Sequence, residues 1–415
     1  MADDVATRVQ VLAPADGEAT LAQVLALPGS PGQPFAAPRR QTLAELSRRI
    51  LTDPSLRSDP AAVALGYWLR RSNIDAMAQA FERRQQASPN TVFVPAGRVF
   101  HVAPGNVDTV FVYSWALSYL CGNQNIVRVS GRTSQVLAQL LDALSTQMQT
   151  DSELAGGNRF LTYEHDREVS EALSNWATHR VIWGGDETVA ELRLLPLSPH
   201  ASERTFGSKF SYSVMSLPAY CNASPETVEK LAAGFFNDVF MFEQMACSSP
   251  HLLVWVGSPG LLDAAQTRFH AALAQEIERR GYRGQPGNAI HRLNFVFDLA
   301  CDVPLRANLH DREFLAVRLS EGAPVTKEIC GAGLLSETRI DELPQLLEFA
   351  QPHDQTVTHF GFDESELREI AQQAGARGVD RFVPVGEALA FDTTWDGYDL
   401  ISDFLRQVTV RMGPT

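Results

Sequence analysis

PGNVDTVFVYSWALSYLCGNQNIVRVSGRTS, residues 104–134, decides the fold class. Residues 109–120 are apolar through successive turns and read as a buried helix, while 125–129 form a short β-branched run that stops at the turn residues Ser130 and Gly131. Residues 91–103 just upstream are strand-rich, so strand, helix and strand follow one another across short connections. Downstream the alternation continues: helix at 135–148, strand at 159–162, helix at 170–177, strand at 180–183, then Gly184, Gly185 and a helix at 187–193. This spacing predicts an α/β fold whose parallel sheet is covered on both faces.

Working outward, residues 1–40 are rich in Pro, Gly and Ala and predict an irregular lead-in, followed by surface helices between 42 and 87. A second unit is expected from Ser211, with a helix over 225–242 capped by Ser224, a strand over 252–256 and a long helix over 263–280. Residues 294–298 and 314–319 are further strand candidates. The expected domains are 1–210, 211–380, and a closing segment, 381–415, that packs back on the body. No internal repeat or low-complexity tract breaks this pattern.

The chain has 415 residues, more than one hydrophobic core usually serves, which also argues for two domains. A net charge of −14 lacks the basic footprint that nucleic-acid binding needs, although a small anion could still find local Arg residues. Five cysteines, an odd number spread widely with no C-x-x-C pair, do not suggest a disulfide framework, and the acidic opening MADDVATRVQ has no apolar core of a signal peptide. Together these predict a reducing, cytoplasmic setting. The apolar stretch 110–121 is shorter than the roughly 20 residues of a membrane span, so no transmembrane segment is expected. The histidines show no metal-ligand spacing, and no metal site is expected.

Three places could carry chemistry. In VIWGGDETVAELR a strand runs through Gly184 and Gly185 into a helix whose free N–H groups would suit a pyrophosphate, though a plain turn is the blander reading. Asn106, between a strand and the apolar helix, could donate its amide to an oxyanion or could merely cap that helix. In FEQMACSSPH, residues 242–251, Cys247 sits where a helix gives way to a strand and is either a nucleophile or a packed thiol; His251 reads as a packing histidine.

Taken in order, these segments resemble the aldehyde dehydrogenase superfamily and, within it, the bioluminescence-type fatty acyl-CoA reductases of the LuxC family, from about residue 90 onward. The resemblance implies an aldehyde-dehydrogenase-like α/β fold: a Rossmann-type cofactor domain plus a second α/β catalytic domain. Pro104-Gly105-Asn106-Val107 is similar to the superfamily's P-x-N-x segment, which implies Asn106 as the oxyanion amide and Cys247 as the nucleophile. Gly122, Asn123, Arg128 and Ser130 match the next conserved block. Gly131 stands where many NAD-preferring members have Glu; a carboxylate there would repel a 2′-phosphate, whereas Arg128, with Arg132, would attract it, so NADPH is the expected cofactor. Gly184 and Gly185 match the following cofactor turn.

Phe206-Gly207-Ser208-Lys209 resembles the E-L-G-G-K segment of hydrolytic members, with Thr205 at their general-base position and Glu203 as the nearest carboxylate. Without that base, thioester exchange and reduction are favoured over acid release. Glu328-Ile329-Cys330-Gly331 is similar to E-I-F-G, which implies Glu328 as the holder of the nicotinamide ribose. The closing TTWDGYDL also looks like this family, although Trp395 and Asp396 receive no chemical role.

The resemblance implies acyl-CoA or an acyl carrier protein as donor, a homo-oligomer, and an acyl-transfer partner protein. Alternatives are an aldehyde dehydrogenase running toward the acid, a reductase of acyl phosphates, and a non-catalytic acyl-binding scaffold.

Overall fold

The computed structural model describes residues 8–14, 17–131, 134–309 and 313–413. The chain divides into two compact units, Met1–Gly207 with Phe391–Thr415, and Ser208–Ala390.

In the first unit the strands are β1 (Arg8–Ala13), β2 (Gly17–Thr20), β3 (Thr91–Pro95), β4 (Arg98–Val102), β5 (Gln124–Arg128), β6 (Asn158–Thr162), β7 (His179–Trp183) and β8 (Ser202–Phe206). Seven of them make one sheet in the order β2-β1-β6-β5-β4-β7-β8. The segment quoted first lies at its centre: β4, the helix Val110–Leu120 and parallel β5. That helix is buried on all sides, which is why its sequence shows no polar stripe. Likewise every residue of β7 is buried, as expected of a parallel strand covered on both faces.

One expectation fails here. Residues 1–40 were expected to be irregular, yet β1 and β2 form the sheet's antiparallel edge, β1 pairing with β6. Val9, Val11 and Ala13 alternate inward with exposed or half-buried neighbours, a period-2 signal obscured by the surrounding Pro and Gly. β3, although strand-like in sequence, stays out of the large sheet and pairs instead with Leu405–Thr409.

The second unit holds β9 (Phe210–Ser216), β10 (Pro250–Val256), β11 (Leu305–Leu309), β12 (Leu315–Leu319), β13 (Leu334–Ile340), β14 (Asp354–Phe360) and β15 (Arg381–Pro384), ordered β11-β12-β13-β10-β9-β14-β15. Along β10 the pleat sends Leu253 and Trp255 into one core with Phe235 and Phe269, and Leu252 and Val254 into another with Tyr212 and Val357. Burying each such side chain contributes about 1.5–3 kcal/mol. Ser224 caps the helix Pro225–Phe240 by accepting from Thr227 N, as its sequence foretold.

The strand expected at 294–298 is instead part of the helix Asn288–Asp302. Its buried residues Arg292, Val296 and Leu299 recur at helical spacing, and the apolar run LNFVF conceals that period. β15 belongs to the second unit's sheet, so the segment that returns to the first unit begins at Phe391 rather than at 381. In that returning segment Phe391 stacks on Tyr113 at 4.9 Å and Trp395 lies 5.9 Å from the same ring, which gives the tryptophan a packing role.

Candidate functional site

In the first unit, two of the singled-out segments meet. Asn106 lies exposed in the bend after β4, and Ser130 and Gly131 lie in the bend after β5. A Cβ on Gly105 would come within 3.0 Å of Ser130 Oγ, so glycine permits this close approach. The helix that follows takes Thr109, not Asn106, at its N-cap.

Arg128 ends β5 with its guanidinium 4.7 Å above the Tyr163 ring, and its Nε is buried without a hydrogen-bond partner. An orphaned guanidinium N–H beside a glycine bend is the donor chemistry an anionic group would satisfy. Arg132 falls outside the described residues.

Gly184 and Gly185 follow β7 as expected. However, the first turn of the helix Asp186–Arg193 carries Asp186 and Glu187, so the end expected to favour a pyrophosphate also bears two carboxylates. Glu203, the nearest carboxylate to the missing base, is bound by Arg180 through its Nε at 2.7 Å and approached by Arg193 at 3.3 Å. Two guanidiniums occupy it as a structural ion pair, an arrangement unsuited to activating water.

The second unit holds Cys247. After Phe240 the helix breaks, and Glu243 and Gln244 adopt left-handed backbone conformations at φ 51° and 61°. Such non-glycine residues cost about 1–3 kcal/mol each. The buried Gln244 side chain offsets this, its Nε2 donating to Pro250 O and Leu334 O at 2.8 Å each while Oε1 accepts from Gly333 N at 3.1 Å. The turn is thereby clamped between the starts of β10 and β13.

Cys247 itself is half-buried between buried Ala246 and Ser248. Ser211 Oγ donates to the Cys247 carbonyl at 2.7 Å, and Gln355 Nε2 donates to Cys247 Sγ at 3.3 Å. Of the other cysteines, Cys330 and Cys121 are buried: burial pushes the Cys330 thiol up to about 11 and raises Cys121 further still. His251 is buried with its ring 5.7 Å from Phe210, and desolvation pulls it down to about 4, consistent with a packing histidine.

The segment carrying Glu328 adjoins the cysteine turn. Ala332 N donates to Glu243 O at 2.8 Å, and Asn288 Nδ2 donates to Glu243 Oε2 at 2.7 Å. Gly331 packs against Met245, a Cβ there lying 2.6 Å from Met245 Sδ, and its φ of 74° is the left-handed region that favours glycine. Glu328 is exposed, whereas its neighbour Lys327 turns inward to both carboxylate oxygens of Asp354 at 2.8 Å. That pair is 7% and 0% exposed, and the ammonium lies 4.9 and 4.8 Å from the Phe210 and Tyr212 rings. Burial lowers the Lys327 pKa while Asp354 opposes the shift. Lys209 is tied to Asp380 at 3.0 Å.

Sequence reading missed Gln244, Gln355 and the Lys327–Asp354 pair. Gln355 is 108 residues from Cys247 and carries no local motif, so nothing nearby in the chain could flag it. Among the described residues, no three His, Cys, Asp or Glu side chains are grouped to hold a metal, and no helix is long and apolar enough to cross a membrane.

Comparison with known proteins adds the following. The family "Acyl-CoA reductase (LuxC)" matches residues 73–283. A long-chain acyl-protein thioester reductase of Vibrio harveyi is 27% identical over 297 residues, 70% of this chain and 59% of that protein. A protein of the same description from Aliivibrio fischeri is 26% identical over 166 residues, 39% of this chain and 33% of its own length. The chain thus matches from a third to three fifths of these relatives. Among solved structures, aldehyde dehydrogenase 21 from Physcomitrella patens aligns with TM-score 0.67 at 14% identity, covering 99% of this chain and 96% of that one. Methylmalonate-semialdehyde dehydrogenase from Oceanimonas doudoroffii aligns at 0.66 and 13%, with the same coverage. The fold is aldehyde-dehydrogenase-like.

Proposed function

This chain belongs to the acyl-CoA reductase (LuxC) family, and on that premise we propose that it reduces a long-chain acyl thioester to the aldehyde through an acyl group carried on Cys247, with NADPH as reductant. The observation that carries the reading is the lacing of the Cys247 turn to the Glu328 segment through Glu243, Met245 and Gly331. It ties together two distant parts of the chain, the turn that carries the half-buried thiol and the segment that carries Glu328.

Cys247 attacks the thioester carbonyl as the thiolate. The Cys247 backbone N–H would hold the oxyanion, such a donor contributing about 3–4 kcal/mol. The donor thiol departs and leaves a thioester on Cys247, whose carbonyl is more electrophilic than that of an acid or ester. When bound, the reduced nicotinamide supplies the hydride that turns this thioester into a thiohemiacetal. Collapse of the thiohemiacetal returns the sulfur and frees the aldehyde.

Arg128, Ser130 and Gly131 would receive the adenosine end, with the orphaned Arg128 Nε directed to a 2′-phosphate. Gly184 and Gly185 would admit the pyrophosphate by close backbone approach, and Glu328 would hold the nicotinamide ribose. Glu203, engaged by Arg180, supports reduction over release of the acid. Acyl-CoA is the donor proposed first, and the description of the Vibrio harveyi relative favours an acyl-protein as the second reading.

The test supplies radiolabelled long-chain acyl-CoA or acyl carrier protein, with and without NADPH, to the parent and to Cys247→Ala. Covalent label on the parent alone, chased to aldehyde by NADPH, is expected. Labelling that survives in Cys247→Ala would overturn the assignment.

A further inference from the structure

Resting on that reading of Cys247, we propose that Gln355 is a catalytic residue whose side-chain amide donates to Cys247 Sγ and stabilises the sulfur whenever it carries charge. The geometry is built for this across β9, which lies between β10 and β14. Gln355 lies on β14, which pairs in parallel with β9, and Thr356 Oγ1 donates to Gln355 Oε1 at 3.2 Å. With the oxygen so engaged, Nε2 faces the sulfur at 3.3 Å. The strand is fixed on both flanks of the glutamine: Asp354 is locked to Lys327, and Thr356 N donates to Ser211 Oγ at 3.1 Å, the same hydroxyl that holds the Cys247 carbonyl. Sulfur and amide are therefore referenced to one serine.

A neutral amide suits the chemistry better than a charged partner. An N–H donor binds a thiolate more strongly than a thiol or thioester, so it favours the sulfur when the electron pair is free and releases it when that pair is shared. In the first half-reaction the Cys247 pair forms the S–C bond to the acyl carbon, and the donor's sulfur leaves with its own pair and takes a proton. In the second, the S–C bond of the thiohemiacetal breaks, its pair returns to Cys247, and the hydroxyl proton is lost as the aldehyde carbonyl forms. Gln355 meets a charged sulfur at the opening and the close of the cycle. It also places no carboxylate at the acyl group that could activate water.

The charged groups on neighbouring elements leave this role to the amide. Lys327 and Asp354 pair with each other, as do Lys209 and Asp380. His251 on β10 is held neutral by burial, and Glu243 is bound by Asn288. Glu328 is exposed, and Arg292, from the helix Asn288–Asp302, donates to Ala332 O.

The test is the pH profile of Cys247 alkylation by iodoacetamide in the full chain, read at the cysteine peptide by mass spectrometry, without acyl donor or cofactor. Gln355→Leu, which keeps bulk and loses the donor, should raise the apparent thiol pKa by about one pH unit and slow alkylation at pH 7 about tenfold. Gln355→Glu keeps the oxygen that Thr356 contacts and changes only the donor; its carboxylate should raise the thiol pKa further and slow alkylation more, and circular dichroism of both variants checks that they are folded. Profiles matching the parent in both folded variants would overturn the proposal. If the parent takes acyl label on Cys247 while those profiles are unchanged, only this inference fails. If no label reaches Cys247, the functional reading itself fails.

Discussion

In the first unit the candidate binding groups sit where neighbouring parallel strands end: Gly105 after β4 lies against Ser130 after β5, and Arg128 closes β5 over Tyr163. In the second, Cys247 depends on Gln355, 108 residues away, and on a turn clamped by Gln244 between two strands. The first arrangement comes from local strand–turn–helix punctuation repeated across a sheet. The second comes from long-range polar contacts that fix a strained turn, and it should be the more fragile of the two when a single buried partner is removed.

The largest expected effect probes that fragility. Lys327→Met leaves the fully buried Asp354 carboxylate without its cation, and breaking such a pair costs about 3–5 kcal/mol. Urea denaturation should show the loss, with accelerated hydrogen exchange in β14; a change below about 1 kcal/mol would remove the pair as an anchor of the cysteine site.

A second prediction tests the first unit by binding. Arg128→Ala should weaken NADPH about 10- to 100-fold and leave NADH nearly unchanged, because only the former has a 2′-phosphate to pair with a guanidinium. Isothermal titration with both nucleotides decides it. Equal losses would mean that Arg128 does not read the phosphate.

Acid separates the units further. Burial lowers His101 to about 3 and His179 to about 4 in the first unit, and His251 to about 4 in the second. Each native pKa is depressed below the ordinary 6.5 of the unfolded chain, so their stabilisation is complete above that value and fades as pH falls toward 4. Each buried imidazole contributes a slope of about 1.4 kcal/mol per pH unit in that window. In the second unit Asp238 opposes it: burial raises its carboxyl to about 7, against the hydrogen bonds from Gly386 and Ala388, so its stabilisation is complete below 3.8 and fades as pH rises to about 7. Burial also lowers His359 and adds a contribution of the histidine sign. Hydrogen exchange followed from pH 6.5 to 4.5 should therefore show β4 and β7 loosening more than β9 and β10. Asp238→Asn should narrow the difference, and uniform loosening in the parent would break the comparison.

The smallest effect is the control. Ser134 and Ser224 cap one helix in each unit, accepting from Leu137 N and Thr227 N. Ser224→Ala should cost about 1 kcal/mol in thermal or urea melts, since its hydroxyl contacts only the first turn, and Ser134→Ala somewhat more, since that hydroxyl also donates to Asp108.

Much of the fold was legible because its signals were local. The helix Gln135–Met148 and strands β5, β7 and β10 emerged from periodicity and turn residues within a residue or two. Where the reading failed, the period was hidden: Pro and Gly surround the alternation in β1, and LNFVF looks like a strand inside an amphipathic helix. Of the candidate site, residue types and order in the chain pointed to Cys247, Asn106, Arg128 and Glu328. Their surroundings were illegible: Glu203 was a candidate base until its partner Arg180 was seen, and nothing near Cys247 in the chain announces the Gln355 amide.

By itself, then, the sequence determined the alternation of strands and helices, the family it resembles, and which side chains have the right chemistry, because these depend on residues a few positions apart. Only the tertiary structure decided which thiol is given an amide donor, which carboxylates are consumed by ion pairs, and which turn is held strained. Each of those depends on whether a group buried from water finds a partner, and here the partner comes from a strand, helix or loop that no local pattern connects to it.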